Sequence, residues 1–225
     1  RDSVASRGLG DVYKRQGIVD TTTGESVDRV VSDTRAHNEW LIPTIEQLLN
    51  DASLTYPDLS AIVVGTGPGP FTGLRVGMAT ASALGVALGL PVYGVCTLDA
   101  IAQGREGEWL VAIDARRKEV YWATYSEGRR ISGPEVTRPE DLTVPAGFSP
   151  RLVFPEAIAP RLPEALADLP REWDTPRAAG LVACADLESE PAPLVPLYLR
   201  RPDAKVPQAT PRSTALIGGA ESSEP

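Results

Sequence analysis

The stretch from Ala61 to Gly89 most constrains the fold, because it joins an apolar run, a rigid loop and a long segment whose only charge is Arg75. Residues 61–64 are apolar and mostly β-branched, which predicts a short buried strand. Three glycines and two prolines follow within residues 65–70 and exclude a regular element, since glycine opens positive φ and proline lacks an N–H. We place the N-cap of the next helix at Thr72, and the helix itself from Leu74 to Gly89.

A strand, a glycine loop and a helix start form a general cradle for an anion, because the first N–H groups of the helix have no partner within it. The loop lacks the Lys-Ser/Thr pair of a phosphate-binding P-loop. It also departs from the dinucleotide fingerprint, since Pro70 stands in the place of the third glycine. A plain structural turn is therefore an equal alternative. The candidate anion- or nucleotide-binding residues are Gly67, Gly69, Thr72 and Gly73.

Small residues recur every four positions along the predicted helix and form one stripe on it: Gly73, Gly77, Ala81, Gly85 and Gly89. Glycine costs about 1 kcal/mol against alanine inside a helix, so the stripe requires a reason. The usual reason is close approach of another backbone. This backbone belongs either to the same fold or to a separate protein. A membrane span is not expected, because the segment is short and has no interfacial aromatic anchors.

The charge balance argues against a protein that holds RNA alone. The 225 residues include 30 acidic and 22 basic side chains, for a net charge of −8, and phosphate neutralisation dominates RNA affinity. If RNA is involved, a partner is expected to supply most of the positive surface. Locally, Arg116, Arg117 and Lys118 form a basic turn. This turn is either a solvated surface feature or a contact for a phosphate or an acidic partner.

The residues that could carry chemistry are few. His37 is the only histidine and cannot build a two-histidine metal site, so we expect no metal and assign no catalytic residue. Cys96 and Cys184 are predicted to be free thiols, because one falls in a predicted strand and the other in a predicted helix. The chain shows no signal peptide and no apolar span of about 20 residues, which favours the cytoplasm.

Four segments in a fixed order resemble the signatures of the TsaB family, whose members support threonylcarbamoyladenosine formation in tRNA. They are Val64–Arg75, Pro91–Ala100, Asp114–Tyr121 and Pro196–Pro202. The resemblance extends from about Gly17 to about Ala204. It implies an α/β, actin-like (ribonuclease-H-like) two-lobe fold. It does not reach the first residues, where the family has a strand ending in an Asp-Thr motif.

The resemblance implies an accessory subunit with no catalytic residue and no cofactor of its own, although ATP or ADP is expected at the partner interface. TsaD is the expected heterodimer partner, with TsaE as a further partner, and tRNA is met only through the complex. The expected partner-binding residues lie on two helices: His37, Leu41, Gly73, Arg75, Gly77, Thr80, Ala81, Leu84, Gly85 and Leu88. A nucleotide-dependent phosphotransferase and a homodimeric scaffold are the alternatives.

We divide the chain into four parts on this basis. Residues 1–16 form a segment without strand or helix periodicity, which is either poorly ordered or an imperfect replacement for the missing first strand. Residues 17–104 form an N-terminal α/β lobe. Residues 105–204 form a C-terminal α/β lobe with a segment that returns to the body, and residues 205–225 form a loose tail.

Overall fold

Two five-stranded sheets with one shared strand order organise the protein, as seen in a computed structural model that describes residues 2–8, 13–32 and 40–200. The first sheet has the order β3-β2-β1-β4-β5, and the second has the order β10-β9-β6-β7-β8. In each sheet three strands form an antiparallel meander, and a fourth strand joins its first strand in parallel. This repeated topology confirms the predicted α/β fold class.

The bounds of the elements are as follows. The first sheet contains β1 (Asp2–Gly8), β2 (Tyr13–Asp20), β3 (Ser26–Ser32), β4 (Leu59–Gly67) and β5 (Val92–Cys96). The second contains β6 (Glu108–Asp114), β7 (Val120–Ser126), β8 (Arg129–Thr137), β9 (Arg151–Val153) and β10 (Arg171–Glu172). The α-helices are α1 (Leu41–Asp51), α2 (Phe71–Leu88), α3 (Thr97–Ala102), α4 (Glu164–Ala167) and α5 (Ala178–Ala183).

Helices lie on both sides of the first sheet. On one side α1 and α2 pack through Ile45, Leu48, Met78 and Ala81. On the other side α3 and α5 fill the space next to Val63. Residues of α3 also contact the second sheet, whose far face is covered by short 3-10 turns and α4. The core is therefore continuous from one sheet to the other.

The first strand is present, which corrects the expectation of a segment without regular structure. Strand β1 lies between β2 and β4, and it pairs in parallel with β4 from Ser3 opposite Ala61 to Ser6 opposite Val64. Its sequence, DSVASRG, is polar and gave no periodicity. Sheet pairing uses backbone N–H and C=O groups, so a polar segment can fill this place. A polar segment therefore occupies the central position of the first sheet.

Other predicted elements agree in type and shift at their ends. The chain segments β2 and β3, and likewise β6 and β7, form antiparallel hairpins. Pro43 lies in the first turn of α1, where backbone N–H groups have no partner within the helix. Strand β8 was missed, because Gly133 and Pro134 interrupt its pattern. The lobe boundaries stay predictions, and the predicted tail, residues 205–225, lies outside the described residues.

Candidate functional site

The glycine–proline loop connects β4 to α2 and begins the helix earlier than the sequence suggested. Pro70 is the N-cap, with extended backbone angles, and the helix starts at Phe71. Thr72 is therefore the second helical residue, and its prediction as the N-cap was wrong. The physical reason is that proline has a φ suited to the end of an extended segment and no N–H that would need a partner. Thr72 is exposed.

The C-terminal segment 194–200 crosses this loop and is held there by specific contacts. The Leu197 N–H donates to the Thr66 carbonyl at 2.8 Å. Gly67 has a φ of +113°, and a Cβ at this position would meet the Leu197 carbonyl oxygen at 3.0 Å, so a side chain does not fit. The prediction that this extended segment docks back onto the body is confirmed.

Aromatic stacking completes the joint between the loop and the segment. The rings of Phe71 and Tyr198 stack with centroids 4.1 Å apart. The guanidinium of Arg75 lies 4.3 Å from the centroid of the Phe71 ring, and its Nε donates to the Tyr198 hydroxyl at 2.9 Å. Such stacked and cation–π pairs each contribute about 0.5–1.5 kcal/mol. Arg75 therefore contributes to the joint within this chain.

The turn between β6 and β7 forms the facing wall. Arg116, Arg117 and Lys118 have φ values of +63°, +56° and +62°. The left-handed conformation costs an L-residue roughly 1–2 kcal/mol, and glycine adopts it without that cost. The turn is closed by the Ala115 N–H to the Glu119 carbonyl at 2.9 Å. Asp114 Oδ1 accepts the Arg116 N–H at 2.8 Å.

Arg200 links the C-terminal segment to this turn. It donates to the Ala115 carbonyl at 2.8 Å and to the Arg116 carbonyl at 3.4 Å, and it forms an ion pair with Glu119. The first half of the turn is therefore fixed through its backbone carbonyls by the C-terminal segment.

A cavity of about 420 Å³ lies between the loop, the turn and the C-terminal segment. Its arginines provide positive charge, its aromatic rings provide apolar walls, and burial raises the pKa of the Tyr121 hydroxyl. The residues that line it come from three of the four signature segments: Gly69, Pro70, Phe71, Ala115, Arg116, Arg117, Tyr121, Tyr198, Leu199 and Arg200. This set lacks a carboxylate, a histidine and a thiol, so it suits binding of an anionic or aromatic group better than proton transfer.

The structure brings together only part of the predicted anion loop. Gly69 lines the cavity, whereas Gly67 lies beneath Leu197 and both Thr72 and Gly73 lie in the first turn of α2. Sequence reasoning missed Phe71, Tyr198 and Arg200 as site residues. The sequence pattern that could have identified them is an aromatic residue in the segments Val64–Arg75 and Pro196–Pro202, with a basic residue two positions after the second aromatic residue.

The small-residue stripe on α2 packs against the chain's own sheet. Gly77, Ala81 and Gly85 are buried, and a Cβ on Gly85 would lie 2.3 Å from Val92 Cγ2. The same-fold alternative therefore accounts for these three positions. Among the other predicted partner-binding residues, Leu41 is 3% exposed in the core. Gly73, Thr80, Leu84 and Leu88 are half-buried, Arg75 is exposed, and His37 lies outside the described residues.

The outward face of α2 is an apolar surface that remains open to solvent. Its exposed residues are small or aliphatic, and Val86 has 87% of its surface exposed. They are Ala79, Ser82, Ala83, Val86 and Ala87. The helix is long and apolar enough to cross a membrane, with a mean hydropathy of 1.3. This is weak evidence, since core helices meet the same criterion and the inner face of α2 packs on β4.

The described residues contain no candidate metal site and no thiol with a lowered pKa. Residues 2–8, 13–32 and 40–200 contain no cluster of three His, Cys, Asp or Glu side chains that could hold a metal ion. Cys96 and Cys184 are free, as predicted. Burial raises the pKa of both thiols, that of Cys184 to about 12, which disfavours the nucleophilic thiolate form.

Fold and surface together define a two-sheet α/β protein of the actin-like class. The family model of TsaD, tRNA N6-adenosine threonylcarbamoyltransferase, matches residues 25–165, which is more than half of the chain. The chain therefore belongs to this family.

Individual relatives narrow the position within the family. The chain is 54% identical over 179 residues to the uncharacterized protein Rv3421c of Mycobacterium tuberculosis, covering 79% of this chain and 82% of that protein. It is 41% identical over 96 residues to TsaB, a tRNA threonylcarbamoyladenosine biosynthesis protein of Escherichia coli, covering 40% of this chain and 42% of TsaB. YeaZ from Pseudomonas aeruginosa superposes with a TM-score of 0.68 at 26% identity, over 81% of this chain and 89% of YeaZ. The resemblance to the TsaB family is confirmed.

Proposed function

We propose that this chain is the accessory, non-catalytic subunit that pairs with TsaD in the transfer of threonylcarbamoyl to the adenosine beside the anticodon of tRNA. The observation that carries the proposal is the outward face of α2. Apolar surface of this kind is normally covered by a partner. The family to which the chain belongs indicates which partner to test, since its relatives include TsaB proteins and its family model describes TsaD.

The chemistry of the chain is consistent with an accessory role. The cavity lining offers positive charge and aromatic walls, with no carboxylate, histidine or thiol among the ten lining residues. The proposal therefore leaves bond-making to TsaD and assigns binding and shape to this chain. TsaE is a further partner, tRNA is met through the complex, and ATP or ADP lies at the interface with a partner. The compartment that suits such a complex is the cytoplasm.

The surface proposed for TsaD differs from the stripe suggested by the sequence. Gly77, Ala81 and Gly85 set the distance between α2 and its own sheet. Thr80, Leu84 and Leu88 are half-buried at the edge of the outward face, so they contribute to the partner surface with the exposed residues. In this arrangement the small residues position the helix, and the outward face makes the contact.

The test is a pair of valine-to-aspartate variants. Val86→Asp puts a charge in the middle of the outward face, where a docked partner would have to desolvate it. We expect at least a tenfold loss of affinity for TsaD, or about 1.4 kcal/mol, with an unchanged melting temperature. Val195→Asp is the matched control, since Val195 is 71% exposed in the C-terminal segment. Isothermal titration with purified TsaD measures both variants, and equal affinities would contradict the proposal.

The homodimeric scaffold is a second candidate supported by the same surface, because a face that fits a partner can also pair with its own copy. Light scattering of the chain with and without TsaD separates the two candidates. A monomer that forms a one-to-one complex with TsaD favours the heterodimer. A dimer that persists unchanged in the presence of TsaD favours the scaffold. The phosphotransferase alternative is not favoured by relatives that carry the name TsaB.

A further inference from the structure

Three consecutive basic residues occupy backbone positions that favour glycine. Arg116, Arg117 and Lys118 all have positive φ, and glycine or asparagine would occupy such positions at lower cost. The chain thus keeps three cationic side chains at the expense of local stability. Residues in such conformations concentrate at functional sites. The observed backbone therefore indicates that the three positive charges have a function.

The turn holds these charges in place. Its carbonyls are bound by neighbouring arginines: Arg161 donates to the Lys118 carbonyl at 2.8 Å, and Arg200 donates to the Ala115 carbonyl. All three cationic side chains of the turn are exposed. A ligand that binds them therefore meets a turn whose backbone is already ordered, which lowers the entropy lost on binding.

Two further arginines contact the turn, and each is paired with a carboxylate: Arg161 with Glu140 and Arg200 with Glu119. Asp114 accepts the backbone N–H of Arg116. The turn concentrates three cationic residues in a chain with a net charge of −8.

The lining of the cavity beside the turn indicates what kind of anion the turn binds. Its walls include Phe71, Tyr121 and Tyr198 next to Arg116 and Arg117. Arginines beside aromatic rings are the combination with which proteins hold unpaired nucleotides, through phosphate contacts and base stacking. The middle of the outward face of α2 is elsewhere, since Val86 lies about 22 Å along the helix from Phe71.

We propose that the turn Arg116–Lys118 contacts the phosphate backbone of tRNA when this chain is assembled with TsaD. The proposal rests on the proposed function. It assigns this subunit a direct, minor share of RNA binding, while the partner supplies most of the positive surface. Each phosphate contact releases counterions, so the contribution is measurable as salt dependence.

The experiment compares two single variants in the complex with TsaD. Arg117→Gly removes one charge from the turn and relieves its positive φ. Arg129→Ala removes one charge from β8, at the opposite end of the same sheet. The affinity for substrate tRNA is measured between 50 and 200 mM salt. We expect the slope of log K against log salt to become shallower by about 1 for Arg117→Gly and to stay unchanged for Arg129→Ala.

Two further measurements distinguish the loss of charge from a loss of stability. The Arg117→Gly chain should melt at or above the wild-type temperature, because glycine suits the turn. Arg117→Lys should retain the wild-type slope, because it keeps the charge. A slope that is the same in wild type and Arg117→Gly would overturn the proposal.

The proposal would also be overturned if Arg117→Gly lost affinity for TsaD while the assembled complex bound tRNA as before, since the turn would then meet an acidic protein surface. A wild-type chain that does not bind TsaD would overturn the proposed function and this proposal with it.

Discussion

The two halves of the molecule repeat one strand order but cover the outer face of their sheets in opposite ways. In the first half the 18-residue α2 lies on the sheet through small residues such as Gly85. In the second half 3-10 turns and the four-residue α4 fill the same place with Leu142, Leu162 and Leu166. In the first half, α2 lies close to the sheet, and its outward apolar face stays exposed to solvent. The second cover buries its large side chains and leaves charged residues such as Glu164, together with small residues such as Ala165, exposed.

This difference predicts that opposite substitutions destabilise the two halves. A cover built on large side chains fails when volume is removed, because a cavity remains. A cover built on glycine fails when volume is added, because the sheet cannot move away. Two substitutions test the two failure modes, and a third tests how the covering helices begin.

The largest effect is expected for Leu166→Ala in the second half. Leu166 is 2% exposed and packs with Leu152 and Phe154 beneath α4. Truncation of such a leucine costs about 2–5 kcal/mol, through lost burial and the cavity that remains. The free energy of unfolding from urea titration measures it. Ala165→Gly, at an exposed neighbour on the same helix, is the control and should cost about 1 kcal/mol. Equal losses in the two variants would show that α4 does not seal this core.

A smaller loss is expected for Gly85→Ala in the first half. The added methyl group would lie 2.3 Å from Val92 Cγ2, and such overpacking costs about 1–3 kcal/mol. Alanine also favours the helix by about 1 kcal/mol, which offsets part of the loss. Ala83→Leu adds more volume on the outward face and should leave the free energy of unfolding unchanged. If Gly85→Ala were more stable than wild type, the contact between α2 and β5 would be looser than described.

The sequence predicted β4, the loop and α2 well. It did not predict which face of α2 packs against the sheet and which face stays exposed. Apolar β-branched residues and the glycine–proline loop are local signals, so β4 and the helix were found. Which side of a glycine stripe meets the sheet depends on residues such as Val92, which are close only in the folded chain. The sequence left both alternatives open, and the structure assigns Gly85 to the chain's own sheet.

The candidate site shows the same limit. The loop and the Arg116–Lys118 turn were recognised from their composition, because glycine, proline and clustered charges mark turns directly. Their meeting with Tyr198 was not predicted, since it requires a chain segment more than 100 residues away to cross the loop. Strand β1 was missed for a related reason: its place between β2 and β4 depends on backbone pairing, which leaves no pattern in a polar sequence.

The smallest effect is expected for Thr72→Ala at the start of α2. Both covering helices begin after a proline N-cap, Pro70 for α2 and Pro163 for α4, and neither N-cap makes a side-chain capping bond. Thr72 and Ala165 are the second helical residues of the two helices, so Thr72→Ala makes the two starts alike. We expect the free energy of unfolding to change by less than about 0.5 kcal/mol, as for most exposed positions. A loss of about 1 kcal/mol or more, typical of a removed N-cap, would mean that Thr72 caps the helix in solution and that the two halves begin their covers differently.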